Sequence, residues 1–194
     1  MFDTVLIAGL GLMGGSMAKT IKARTLSRVL GWNRTRATEE PALADGSIYA
    51  VANAALYKEA DLVIIGLYPQ ATVDWLLENM PKMKKGCVIV DMVGVKQFMV
   101  DHLEQAALDA GVHYVGGHPM AGREFSGLDF ALSTLFDGAS MIFVPTKSST
   151  ERVLEQLEAY FMSLGFGQTV RCTAQQHDHM IAFTSQLAPV VSSA

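Results

Sequence analysis

Apolar residues gather into runs of strand length, and helical patterns separate these runs almost from end to end. Thr4–Ala8, Arg28–Trp32, Leu62–Leu67, Cys87–Asp91, His113–Val115, Ser140–Val144 and Gln168–Arg171 predict strands. Several of these runs are apolar without alternation, as expected for strands covered on both faces in a parallel sheet. Helices are predicted over Met13–Ala23, around Glu39–Ala44, and over Ala71–Met80, Val95–Ala110 and Glu151–Leu164. The last of these has Thr150 as its cap and sets Val153, Leu154, Leu157, Tyr160 and Phe161 on one stripe. Strand and helix in alternation predict an α/β fold, a doubly wound and mostly parallel sheet. No internal repeat or long linker interrupts it.

The pattern changes at the end. Thr173-Ala-Gln-Gln176 reads as a capping box, and the helix it opens is still running at Ala194. Met180, Ile181, Phe183, Leu187, Val190 and Val191 give that helix an apolar surface that needs a partner. Residues 1–172 are therefore expected to form one domain. Residues 173–194 are expected to be the first helix of a second, helical domain whose remainder is absent.

Composition narrows the classes. Half of the 194 residues are apolar and 18% are charged, which excludes disorder. A formal net charge of -4 provides no global positive field for nucleic acid or an acidic membrane, so local cations must hold any anionic substrate. The apolar stretches are far too short to span a bilayer, and Asp3 before the first run argues against a signal peptide. Cys87 and Cys172 stand alone, without metal-ligand spacing, so no metal is expected and a reducing cytoplasm fits.

Thr4–Ala8 feeds into Gly9-Leu10-Gly11-Leu12-Met13-Gly14-Gly15-Ser16, followed by a helix. Gly9 permits the tight turn, Gly11 lets the backbone approach a pyrophosphate, and Gly14 lets helix and strand pack closely. The helix start at Leu12 and Met13 supplies free N–H groups and partial positive charge. Strand, glycine spacing, helix and N-terminal position together predict a Rossmann-type dinucleotide site. The second strand ends in Asn33-Arg34-Thr35. NAD-selective sites usually place Asp or Glu there for the ribose 2′-hydroxyl. Asn33 does not repel a 2′-phosphate and Arg34 and Thr35 can bind one, so NADP is preferred over NAD.

After His113–Val115 comes Gly116-Gly117-His118-Pro119-Met120-Ala121-Gly122-Arg123-Glu124-Phe125-Ser126-Gly127. A His at the carboxyl end of a parallel strand faces the crevice where α/β sheets bind ligands. The ordinary imidazole pKa near 6.5 suits removal of an alcohol proton during hydride transfer.

With the opening glycine motif, this His-Pro-Met-Ala-Gly stretch, His177-Asp178, and Ser185-Gln186-Leu187, the chain resembles the prephenate/arogenate dehydrogenase family over essentially its whole length. The resemblance implies oxidative decarboxylation of a cyclohexadienol. Hydride leaves ring C4 for the nicotinamide, the ring carboxylate departs as carbon dioxide, and the product gains aromaticity. His118 is then the group that takes the C4 hydroxyl proton. Lys96, Arg123, His177, Ser185 and Gln186 become candidates for holding prephenate or arogenate, and Asp91 a candidate on the cofactor side. A homodimer closed by the helical domain is implied too, and this stretch alone should bind dinucleotide but turn over poorly.

Two positions depart from the family's pattern. Its Asp-x-Gly-Ser-x-Lys loop reads Asp91-Met92-Val93-Gly94-Val95-Lys96 here, so Gly94 sits where a supporting hydroxyl would be. Pro189 stands where a substrate-binding His would fall, and a proline inside a helix kinks it unless the alignment slips. The rival readings are a β-hydroxyacid dehydrogenase or imine reductase, which share the phosphate loop, and a dinucleotide-binding module without turnover.

Overall fold

Eight strands form one sheet: β1 (Thr4–Ala8), β2 (Arg28–Trp32), β3 (Ala50–Val51), β4 (Leu62–Ile65), β5 (Val88–Asp91), β6 (His113–Pro119), β7 (Ser140–Pro145) and β8 (Gln168–Arg171). They lie in the order β3-β2-β1-β4-β5-β6-β7-β8. The computed structural model describes residues 2–122, 124 and 126–191, with residues 184–191 described by backbone alone. Pairing is parallel from β3 through β6; β7 then runs antiparallel to β6, and β8 follows β7 in parallel.

Successive side chains of one strand go to opposite faces. In β1, Val5 and Ile7 enter a core with Met17 and Ile21 of α1 (Leu12–Arg24) and Leu157 and Phe161 of α6 (Glu151–Ser163). Leu6 and Ala8 enter the opposite core, with Val73 and Leu76 of α4 (Pro69–Asn79) and Met99 and Leu103 of α5 (Gln97–Ala110). Both faces are covered, which is why these strands read as unbroken apolar runs. The expected α6 stripe is buried throughout, and the Thr150 hydroxyl accepts the Val153 N–H.

The strand order reverses at β1, which has β2 on one side and β4 on the other. Crevices at such a reversal, outside the carboxyl ends of the strands, are where this architecture binds ligands.

Several boundaries move. β4 ends at Ile65 rather than Leu67, and α2 (Arg36–Ala44) begins before the expected segment. β6 continues through the glycine pair to Pro119 instead of ending at Val115. A Cβ on Gly117 would lie 2.3 Å from the Asp91 carbonyl oxygen, so glycine is what lets β6 continue beside β5. Two short elements had no pattern to announce them: β3 and α3 (Ala54–Tyr57), which Asn53 caps by accepting the Ala55 N–H.

The capping box at the last helix is formed in both directions. Thr173 N–H donates to Gln176 Oε1 at 2.9 Å, and Gln176 N–H donates to Thr173 Oγ1 at 3.2 Å. The helix, α7 (Ala174–Val191), continues past Pro189, whose nitrogen has no proton to offer the Ser185 carbonyl. Its first turn buries Ala174 and His177, whereas Met180 and Phe183 are exposed.

Candidate active site

The phosphate loop is built on close backbone approach. A Cβ on Gly14 would stand 1.8 Å from the Gly9 carbonyl oxygen, and one on Gly66 would stand 3.0 Å from that same oxygen. The start of α1 is thereby pressed against the ends of β1 and β4. Gly11 is different: nothing lies within 4 Å of where its Cβ would be. The space in front of it belongs to a cavity of about 250 Å³ that Leu12, Met13, Tyr68 and Met92 also line. Among the described residues no side chain caps the first N–H groups of α1, so they remain available to an anion. A pyrophosphate fits this cradle.

Gly11→Val tests it. Backbone φ at Gly11 is -73°, open to any residue, and the space is free, so the substitution should leave the fold intact. The expected outcome is loss of dinucleotide binding by titration, with an unchanged melting curve. Unaltered affinity in the folded variant would remove the loop from the binding site.

At the end of β2 the residues divide their work differently from the sequence expectation. Asn33 is engaged on three sides. Its Oδ1 accepts the Leu10 N–H at 3.0 Å, its Nδ2 donates to the Thr35 carbonyl at 3.2 Å, and its backbone N–H donates to Glu39 Oε1 at 2.9 Å. It ties the phosphate loop to the second strand. Arg34 and Thr35 are exposed beside it.

The second half of the site centres on His118, near the carboxyl end of β6. Its Nδ1 lies 2.8 Å from His177 Nε2, and His177 Nδ1 lies 2.7 Å from Asp178 Oδ1. Asp178 also receives the backbone N–H groups of Lys96 at 2.8 Å and Gln97 at 2.9 Å, so it caps α5. Burial opposes the charge on Asp178. Hydrogen bonds from Gln97, His177 and Lys96 nevertheless hold its carboxyl below the ordinary value. His118 moves the other way: burial first, then the neighbouring His177 and Lys96, push it down to about 4.

The loop joining β5 to α5 connects the two halves. Met92 faces the phosphate cavity, while Gly94 lies against the His118 ring. A Cβ on Gly94 would be 3.7 Å from His118 Cε1 and 3.8 Å from Nε2, an ordinary contact distance. A serine side chain would therefore fit here beside Nε2, as the family's pattern implied.

Two candidates lie deeper than expected. Lys96 is fully buried and its ammonium pairs with the equally buried Asp91. Asp91 also accepts the Tyr114 hydroxyl at 2.7 Å and the Val93 N–H at 2.9 Å. Neither Lys96, expected to face the substrate, nor Asp91, expected to face the cofactor, presents a free polar atom to a ligand. His177 is also fully buried and meets His118 rather than open space. Arg123 lies outside the described residues, as do the side chains of Ser185 and Gln186. Tyr68, Met92 and Tyr114 were missed as participants, and none of them carried a signal in the sequence; Asp178 was singled out with His177, at the start of the last helix.

The family model "Prephenate dehydrogenase, nucleotide-binding domain" matches residues 17–168. The chain belongs to the prephenate dehydrogenase family. Among curated family relatives, "Prephenate dehydrogenase" of Bacillus subtilis (strain 168) is 32% identical across all of this chain. The match takes in 53% of that protein, so the chain spans about half the length of this relative. Among solved structures, prephenate dehydrogenase from A. aeolicus, in complex with hydroxyphenyl propionate and NAD+, superposes with a TM-score of 0.88 at 25% identity. That match covers 98% of this chain and 67% of the other. Synechocystis arogenate dehydrogenase gives 0.86 at 25% identity, covering 98% and 68%.

Proposed function

We propose that the protein carrying this chain is a prephenate or arogenate dehydrogenase, with His118 as the base that takes the C4 hydroxyl proton. The observation that carries this reading is His118 itself. It is a half-buried imidazole held by His177 on one nitrogen, with the other directed toward Gly94 on the loop that also faces the phosphate cavity. The dinucleotide, when bound, supplies the hydride acceptor. Gly11 and the N–H groups of Leu12 and Met13 would hold its pyrophosphate. Because burial keeps His118 neutral well below neutrality, the imidazole is ready to accept a proton at cellular pH. Arg123 is the cation this reading assigns to a substrate carboxylate, since Lys96 is enclosed.

The experiment is turnover of the full-length protein on prephenate and on arogenate, followed by reduced-cofactor absorbance. Rates with at least one substrate far above a 3-hydroxyacid control support the reading; none above it would overturn it.

NADP is the preferred cofactor in this reading. Asn33 is neutral and occupied, and the exposed Arg34 and Thr35 supply a cation and a hydroxyl that a 2′-phosphate could use. Arg34→Ala should weaken NADP+ binding roughly tenfold, as loss of one charge-assisted contact implies, and leave NAD+ nearly unchanged. Tighter binding of NAD+ by the unaltered protein would reverse the preference. A cytoplasmic homodimer completes the proposal. The exposed Met180 and Phe183 give α7 an apolar surface that suits a partner helix, and no described helix is long and apolar enough to cross a membrane.

A further inference from the structure

The hydrogen-bond chain behind His118 determines which of its nitrogens carries the proton. Asp178 Oδ1 already accepts a backbone N–H from Lys96, so it is an acceptor, and His177 Nδ1, 2.7 Å away, must bear hydrogen. A neutral His177 then has a bare Nε2. That lone pair lies 2.8 Å from His118 Nδ1, which must be the donor in turn. His118 is left with its lone pair on Nε2, the atom facing Gly94.

We infer that His177 and Asp178 are positioning residues that lock His118 in its Nδ1–H form. This inference rests on the reading of His118 as the base. In the proposed step the C4 O–H and C4–H bonds break and a C4=O double bond forms; the proton forms an N–H bond at His118 Nε2, and a bound dinucleotide would accept the hydride. His118 then carries a positive charge, and the groups facing it are His177, Asp178, Lys96 and Asp91. Asp178, through His177, is the member of this set that offsets the new charge along a hydrogen bond. Lys96 opposes it but is matched by Asp91. Asp178 also seats α7 on the start of α5 while His177 meets β6 at His118, so the base is set by a helix more than fifty residues further along the chain.

Asp178→Asn in the full-length protein tests this role. Asn keeps one of the two backbone N–H bonds that Asp178 accepts at the start of α5, so a melting curve recorded beside kcat reads the loss of the other. The amide can present N–H to His177 Nδ1, which reverses every donor in the chain and leaves His118 as Nε2–H. In hydrolase triads the same exchange lowers kcat by about 10⁴ through the wrong tautomer. Here kcat should fall about 10²–10⁴-fold with KM within a few-fold. His177→Gln, whose Oε1 can accept from His118 Nδ1, should retain more of the rate than His177→Leu. Histidine ¹⁵N NMR reads the tautomer directly: Nδ1–H for His118 in the unaltered protein, and Nε2–H or a mixture in Asp178→Asn. An Nε2–H His118 in the unaltered protein, or an Asp178→Asn variant with normal tautomer and kcat, overturns the lock. The base reading fails separately, if His118→Asn keeps its rate.

Discussion

His118→Asn in the full-length protein is expected to lower kcat about 10²–10⁴-fold, the usual loss on removing a general base. Dinucleotide affinity should stay within a few-fold. The phosphate cradle at Gly11 is formed by β1, α1 and the loop after β4, and His118 contributes nothing to it. Asparagine can still donate toward His177, so the polar chain behind it is not left open. The pH profile gives an independent check. An unperturbed imidazole near 6.5 would produce an acid limb in kcat/KM just below neutrality. With burial, His177 and Lys96 pushing His118 down to about 4, the limb should fall near that value and the rate should be flat through pH 6. The same shift has a sign for stability. Between about 4 and 6.5 the unfolded chain binds the proton and the folded chain does not. Stability therefore rises with pH across that window and is lost as pH falls through it. In His118→Asn this part of the acid sensitivity should disappear. A variant with near-normal turnover, or an acid limb near 6.5 in the unaltered protein, would dismiss His118 as the shifted base.

Most of the frame was legible because burial on both faces leaves a mark in one dimension. Unbroken runs such as Leu62–Ile65 and Val88–Asp91 need no partner to be recognised as central strands. Thr150 and the Thr173–Gln176 box announce helix starts through local hydrogen bonding. The direction of a strand leaves no such mark, so the antiparallel β7 could not be read from its apolar run. The extension of β6 was hidden because Gly116-Gly117 and Pro119 resemble a turn. Only the carbonyl of Asp91, twenty-six positions earlier, explains why glycine stands at Gly117. The candidate site shows the same division. The phosphate loop is a local motif and folds as one. The partners of His118 are remote: His177 comes 59 residues later, and its burial follows from how α7 docks on α5. Lys96 read as a surface cation because sequence shows its charge but not the enclosure around Asp91 and Tyr114.

That enclosure supports the other large expected effect. Lys96→Met should destabilise the protein by about 3–5 kcal/mol, the usual result of removing one partner of a buried ion pair. Methionine fills the stem's volume beside Gly116 but leaves the Asp91 carboxylate uncompensated, with only the Tyr114 hydroxyl and the Val93 N–H as donors. Burial already draws the Lys96 ammonium below its ordinary pKa against the pull of Asp91, so the site tolerates charge only as a matched pair. Adding Asp91→Asn to Lys96→Met removes the stranded charge, and the double variant should regain a large part of the loss. Urea unfolding of the two single variants and the double variant measures this as a coupling between neighbours. The result also decides between two roles for Lys96. A cation that holds substrate would, when replaced, raise KM and leave the urea midpoint where it was. A cation that holds the β5–α5 loop would lower the midpoint. Activity would then fall through displacement of Gly94 and Met92, the residues of that loop that face His118 and the cofactor cavity. An unchanged midpoint with a raised KM would return Lys96 to the substrate, and would mean that the ion pair with Asp91 opens when substrate binds.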